Sequence, residues 1–313
     1  MEVDRVEMLN LGTTDFAQIF GTTVDEIVAL CGELISSMNF SYYKISGEDR
    51  DKILLNVLKD IDNRNFSISG KERKSQWEKG WGENLTKFEK DYDLAALVPK
   101  YSPCERVLRF RGNYIRTANN DFEQNYYTIL RTWLFKKYLN DVSSIHEFGC
   151  GPGHNLVMLA KLFPNKKLYG SDWTVASTEL INKIAKVYGY NLAGVVFDMF
   201  EPREDYNLES NSAILTIGSL EQLGEGWKNI LQFFMKKNPK ICVHWEPFYE
   251  LYDEMSLFDY PAMKYHQRRG YLKNYLTQLK KMESQKMIEI LNIRRVYFGN
   301  VYHEGSLVVW KLK

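Results

Sequence analysis

The order of apolar and polar positions divides the chain into three zones. In the first, about residues 1 to 70, Ile27, Leu30, Leu34 and Ile35 recur at helical spacing after Thr22-Thr23-Val24-Asp25-Glu26. Thr23 and Glu26 are spaced there as a capping box. Ile53, Leu54, Val57, Leu58 and Ile61 form a second helical stripe over 49–61. The second zone, about 71 to 118, is polar and punctuated by Gly70, Gly80 and Gly82. It carries Trp77 and Trp81 and passes Pro99 and Pro103 before Phe110-Arg111-Gly112-Asn113-Tyr114. It reads as loop and short helix, and tryptophans in such a loop imply that it packs on a larger body. A broad stripe through Phe122, Tyr126, Ile129, Leu130, Trp133, Leu134 and Tyr138 then predicts a long helix over about 120–139.

From there strand-like and helix-like runs alternate. The strands are Ser144–Phe148, Lys167–Ser171, Gly194–Phe197, Ala213–Ile217 and Lys240–Trp245; between them fall helices at Asn155–Phe163, Val175–Tyr188 and Trp227–Lys236. Such alternation predicts a parallel sheet with helices on both faces. A long helical segment from about Pro261 to Gln285 follows. Two β-rich runs close the chain, Ile290–Phe298 and Ser306–Lys311, near enough in sequence to pair as a hairpin.

The first of the parallel strands ends in Glu147-Phe148-Gly149-Cys150-Gly151-Pro152-Gly153 and turns into a helix. Glycines permit backbone angles closed to other residues and let a ligand approach the main chain. The helix behind them offers unpaired N–H groups and a positive dipole end. A dinucleotide site wants G-x-G-x-x-G. Here the spacing is G-x-G-x-G, and Glu147 stands before it, which suits a cationic ligand better than a pyrophosphate.

Glu147 to Gly153 resembles the first motif of class I S-adenosylmethionine-dependent methyltransferases. The resemblance covers about residues 120 to 313 and implies that this loop cradles the methionine part of S-adenosylmethionine, whose sulfonium and amine are cations. It implies that Asp172, 23 residues after Gly149, accepts from the ribose hydroxyls. Trp173 would then lie against the adenine, with Asp198 and Met199 at the adenine edge and Gly218 at the start of the acceptor pocket. It also implies an α/β fold: a Rossmann-like, seven-stranded, doubly wound sheet with a terminal antiparallel hairpin. The expected organisation is a mainly helical N-terminal region, 1–118, as lid or recognition element, and a methyltransferase domain, 119–313, with a helical insert at about 247–285. Each piece alone has an ordinary explanation: a tight turn for the glycines, a helix cap for Asp172, a solvated loop acid for Asp198. Their occurrence in register is what specifies the cofactor.

Methyl transfer is an in-line displacement, so positioning dominates, and an oxygen nucleophile also needs a base. Ligands sit at the carboxyl ends of the strands in open α/β sheets. Val243-His244-Trp245-Glu246-Pro247 ends the fifth strand, which makes His244 and Glu246 candidate catalytic groups. His266, beside Arg268 and Arg269 in the inserted helical segment, is a third, and those arginines suit an anionic acceptor. Core burial, or a solvated helix face, is the plain alternative for each, and the three lack the fixed spacing of a metal site.

Composition narrows the acceptor. The net charge is +1 and no long basic run occurs, which disfavours nucleic acid as partner. Aromatics at 14% are enough both for a sizeable core and for pocket walls. Cysteines 31, 104, 150 and 242 form no CxxC pair, so neither a zinc cage nor a disulfide framework is expected. No signal peptide or membrane segment is recognisable, which implies a cytoplasmic protein. The expected function is methyl transfer from S-adenosylmethionine to a small acceptor: a sugar, nucleotide-sugar or natural-product intermediate. The alternatives are a protein or RNA methyltransferase using 1–118 for recognition, or a non-catalytic cofactor-binding subunit.

Overall fold

The computed structural model describes residues 7–63, 66–98 and 107–313. Strand β1 (Met8–Asn10) is followed by α1 (Thr13–Phe20), α2 (Val24–Ser37), β2 (Ser41–Lys44), α3 (Gly47–Ile61) and α4 (Lys74–Asp91). β3 (Val107–Phe110) and β4 (Asn113–Thr117) form a hairpin whose turn, Arg111-Gly112, has φ of 49° and 77°. Positive φ at both positions is what a two-residue type I′ turn requires. Helix α5 (Phe122–Tyr138) leads to β5 (Ser144–Phe148), α6 (His154–Leu162), β6 (Lys167–Asp172), α7 (Val175–Tyr188) and β7 (Leu192–Val196). Then come β8 (Ser212–Ile217), α8 (Trp227–Lys237), β9 (Ile241–Glu246), α9 (Asp259–Arg269), α10 (Tyr275–Ser284), β10 (Ile288–Gly299) and β11 (Glu304–Leu312).

Among the described residues all eleven strands join one sheet, in the order β1-β2-β4-β3-β10-β11-β9-β8-β5-β6-β7. The expected seven strands are therefore a correction: β5 to β11 form a contiguous seven, and four short strands from the N-terminal third extend the sheet beyond β10. β5 to β9 run parallel, while β11 lies antiparallel between β9 and β10. The sequence pattern missed β1 and β2 because three or four residues are too few to display a period of two.

Two segments differ from their predicted form for local reasons. The stretch with Trp77 and Trp81 is not a loop but the 18-residue helix α4. Two interior glycines cost such a helix about 1 kcal/mol each; burial of Trp81 and Phe88 offsets them. The predicted helix from 261 to 285 is two helices, because Gly270 takes the left-handed conformation (φ 65°) that ends α9. Cys104, Pro99 and Pro103 lie outside the described residues, and Cys31, Cys150 and Cys242 are buried and free.

The main core runs through both parts of the chain. Phe16 and Phe20 of α1 pack on Tyr126 and Trp133 of α5, and Tyr126 stacks on Phe298 of β10 with ring centroids 3.6 Å apart. Among the described residues no helix is long and apolar enough to cross a membrane.

Candidate functional site

Strand order reverses between β5 and β8: β6 and β7 lie on one side, β9 on the other. The two chains leaving β5 and β8 diverge there, opening a crevice at the carboxyl ends. The glycine turn occupies it. Gly149, Gly151 and Gly153 all have positive φ (71°, 52° and 82°), so each needs the freedom glycine has. A Cβ on Gly149 would lie 2.4 Å from the Ser219 Cβ, since the Ser219 hydroxyl donates to the Phe148 carbonyl (2.7 Å) and draws the loop after β8 against the turn. Met199 is half-buried beside this contact, its Cε 3.2 Å from the same point. Gly218, with φ 63°, is exposed, and a Cβ there would meet nothing within 4 Å.

Glu147 is buried at the end of β5. One carboxylate oxygen accepts from the Asn155 amide of α6 at 2.6 Å, and the other has no partner. Burial pushes its carboxyl up to about 8, against the Asn155 hydrogen bond and the nearby Arg131 charge. An orphaned buried carboxyl oxygen at the tip of β5, one strand from the exposed backbone of Gly218, fits the ammonium end of S-adenosylmethionine.

Asp172 lies at the tip of β6, just before α7. One oxygen accepts from the Gly151 N–H (3.0 Å), and the other from the Thr174 N–H and hydroxyl (3.0 and 2.7 Å). It ties the glycine turn to the start of α7, and burial raises its carboxyl despite these bonds. Trp173 is half-buried and stacks on Phe200 at 5.8 Å. Asp198 accepts from the Phe200 N–H at 2.8 Å, so the tips of β6 and β7 converge on one aromatic pair. Phe200 went unnoticed because a single aromatic in a loop carries no pattern.

Helix α4 covers this turn. A Cβ on Gly151 would lie 2.9 Å from the Trp81 ring, and Trp77 stacks on Trp81 at 5.5 Å. Glu78 accepts from the N–H groups of Val175 and Ala176 (2.9 and 2.8 Å) and so caps α7 from another element. Upstream, the Arg73 guanidinium lies 4.8 Å over the Trp77 ring and bonds Gln222 in the loop after β8 (3.2 Å).

The candidate catalytic groups fall in three different settings. His244 is fully buried under α8 and α10. Trp310 Nε1, which can only donate, bonds its Nε2 at 2.9 Å, so the proton sits on Nδ1 facing Thr216 Oγ1 at 2.9 Å. Burial pushes this imidazole down to about 3. The structure thus places His244 in the core with neither nitrogen free for a substrate proton. Glu246 is also fully buried; its oxygens accept from the N–H groups of Ser219, Leu220 and Glu221 (3.1, 3.1 and 3.3 Å). It clamps the loop after β8. Burial pushes its carboxyl up, and that of the adjoining buried Glu221 with it.

His266, in α9, is the exception. It is 1% exposed, yet neither ring nitrogen has a protein partner. Tyr252, Tyr271 and His303 surround it with ring centroids 5.3 to 5.5 Å away. Through Tyr271, whose hydroxyl is 3.4 Å from the Gln222 amide, this cluster adjoins the loop after β8. Among the described residues no cluster of His, Cys, Asp and Glu could hold a metal ion.

One pH effect follows from Glu147. Its folded value lies above the unfolded one, so the folded state holds a proton that the unfolded chain has lost. The stabilisation is whole below about 4.5 and disappears as pH rises through about 8. All five histidines are pushed down by burial and cost stability only below their ordinary 6.5. Between about pH 7 and 8 Glu147 alone should lower the stability seen in urea unfolding by about 1 kcal/mol, with the raised carboxyls of Glu221 and Glu246 adding to the fall, and Glu147→Gln should lessen the slope by that amount. An equal slope in the variant would contradict the assignment.

Among solved structures the chain is similar to the [4+2]-cyclase SpnF, 11% identical over 79% of this chain and 97% of that chain, with a TM-score of 0.51. It is also similar to the geranyl diphosphate C-methyltransferase of Streptomyces coelicolor A3(2), solved with Mg2+, geranyl-S-thiolodiphosphate and S-adenosyl-L-homocysteine. That likeness is 11% identical over 79% of this chain and 100% of that chain, with a TM-score of 0.48. No protein-family model and no curated protein matches the chain. With a glycine turn at the β5 tip, acids at the tips of β6 and β7, and an antiparallel last strand between β9 and β10, the chain has the class I methyltransferase fold.

Proposed function

We propose that the protein is an S-adenosylmethionine-dependent methyltransferase acting on a small-molecule acceptor: a sugar, nucleotide-sugar or natural-product intermediate. The observation that carries this reading is the buried Glu147 carboxyl, with one oxygen orphaned at the point where strand order reverses. When bound, S-adenosylmethionine supplies an electrophilic methyl group. Glu147 and the open backbone at Gly218 hold its ammonium end; Asp172 fixes the glycine turn that lies along it; Trp173 and Phe200 offer an aromatic face for the adenine, with Asp198 at its edge. Helix α4 closes over the turn and keeps water out, which strengthens every charge contact beneath it.

An RNA or protein acceptor is the weaker reading: the net charge is +1, and a cleft of only about 310 Å³, with Tyr249 and Tyr271 in its wall, adjoins the loop after β8. A fold shared with a protein called a cyclase leaves the reaction open, because function resides in the site and not in the fold.

Calorimetry with S-adenosylhomocysteine tests the reading. Micromolar binding is expected. At pH 7 Glu147 holds a proton in the free protein, so its ionisation against the ligand ammonium should release close to one proton, visible as a buffer-dependent heat. Asp172→Asn, which keeps the shape but loses the acceptor capacity, should weaken binding by about tenfold or more. No binding by the unaltered protein at high micromolar ligand would end the proposal.

A further inference from the structure

The polar cluster around His266 holds more unmet hydrogen-bonding capacity than a structural core tolerates, since buried polar groups are as a rule paired. A cleft of about 310 Å³ reaches it, lined by Tyr249, His266, Gln267, Tyr271 and Lys273, with Glu225 also at its wall. The hydrogen bonds around the neighbouring His303 fix its tautomer. Asn300 Oδ1 accepts from the N–H groups of Tyr302 and His303 (2.8 and 3.0 Å), which orients its amide. Its NH2 group therefore donates to His303 Nε2 at 3.2 Å, and the imidazole proton sits on Nδ1. That Nδ1–H is buried without a partner, as are both nitrogens of His266 and the Nε–H of Arg269. Arg269 is 8% exposed and held in place through its other nitrogens by the Ser67 carbonyl and the Tyr271 hydroxyl.

These groups have one chemistry in common. The fixed orphans on His303 and Arg269 are donors. Of the charged groups, Lys273 lines the cleft with its Nζ 5.1 Å over the Tyr249 ring, Glu225 lines it too, and Arg269 lies behind Tyr271 beside the Glu221 carboxyl, which burial pushes up to about 8 and so keeps protonated at pH 7. Donors and cations call for a carboxylate. His266, with one N–H and one bare nitrogen whichever tautomer it adopts, is suited to a hydroxyl, donating to it or accepting from it. Tyr249 and Tyr271 give the cleft flat apolar sides, and 310 Å³ is at the small end of ligand sites.

We propose that this cleft is the acceptor site and that it takes a small ring-bearing hydroxy acid, its carboxylate at Lys273 on the side toward Arg269 and its hydroxyl on His266. The assignment rests on the methyl-transfer reading. His266 then accepts the hydroxyl proton: the O–H bond breaks, the proton goes to the bare ring nitrogen, and the electron pair stays on the acceptor oxygen. Burial beside His303 and Arg109 keeps the empty site's imidazole neutral; an arriving carboxylate makes it more basic. An aromatic hydroxy acid and a sugar acid share this chemistry and differ only in the ring that meets the tyrosines.

The test is calorimetry with 4-hydroxybenzoate, glucuronate and, as neutral control, benzyl alcohol, each with and without saturating S-adenosylhomocysteine. At least one of the two acids should bind about tenfold or more tighter than benzyl alcohol. His266→Asn should weaken that acid by about tenfold or more, and Lys273→Gln, at an exposed position, by about threefold or more. Both variants should keep their S-adenosylhomocysteine affinity, which also reports an intact fold. Hydroxy acids that bind no better than benzyl alcohol, or that bind His266→Asn unchanged, overturn the proposal. Failure of the unaltered protein to bind S-adenosylhomocysteine while the acid binds counts against the cofactor reading instead.

Discussion

Gly149→Ala is expected to abolish S-adenosylhomocysteine binding and to lower stability by about 3 kcal/mol. Two costs add. The residue holds φ at 71°, where an L side chain is strained by about 1–2 kcal/mol. The new Cβ would also sit 2.4 Å from the Ser219 Cβ, and neither side yields easily. The turn is tied by N–H bonds from Gly149 and Cys150 to the Ser171 carbonyl and from Gly151 to Asp172, while Ser219 is held by Glu246. Gly218→Ala is the informative companion. Its φ is similar at 63°, but a Cβ there meets open space. The stability loss should therefore be only about 1 kcal/mol, whereas binding should fall sharply if, as proposed, the ammonium end of the cofactor fills that space. If Gly218→Ala binds S-adenosylhomocysteine normally, the cofactor does not lie against the β8 tip.

Glu246→Ala should destabilise the protein by about 3–5 kcal/mol, the range for breaking a buried charged hydrogen-bond system by removing one partner. The three N–H groups of Ser219, Leu220 and Glu221 lose their common acceptor in a place water reaches poorly. The loop after β8 carries Gly218 and Ser219 and so forms one wall of the cofactor turn. Its loosening should weaken S-adenosylhomocysteine binding as a secondary effect. Urea unfolding decides between this role and direct contact with the acceptor. A variant of ordinary stability with lost turnover would make Glu246 a catalytic group, and a strongly destabilised one makes it a clamp.

The sequence alone was enough for the alternating strands and helices from Ser144 to Trp245, and for the glycine turn at 149–153. These are local properties: a five-residue apolar strand and a helix-period stripe are written in consecutive residues, and G-x-G-x-G is a backbone requirement that only glycine meets. The resemblance placed Asp172, Asp198 and Gly218 at strand tips, and there they lie.

Three-dimensional packing decided the rest. His244 and Glu246 alternate on a strand in the way a catalytic pair would, and the sequence cannot tell that Trp310 and Thr216 occupy both nitrogens of the one or that a backbone loop fills both oxygens of the other. Those partners come from segments 25 to 66 residues away. The conversion of the Trp77–Trp81 stretch from loop to helix, the capping of α7 by Glu78, and the four strands added beyond β10 are likewise long-range, since short strands gain their hydrogen bonds only from neighbours already in the sheet. His266 was visible in the sequence as one histidine beside two arginines. The lack of a hydrogen-bond partner for either ring nitrogen, with His303 and Tyr271 around it, exists only where α9 meets the β10–β11 turn. Unpaired polarity of this kind belongs to the assembled interior, because in an unfolded chain water satisfies it.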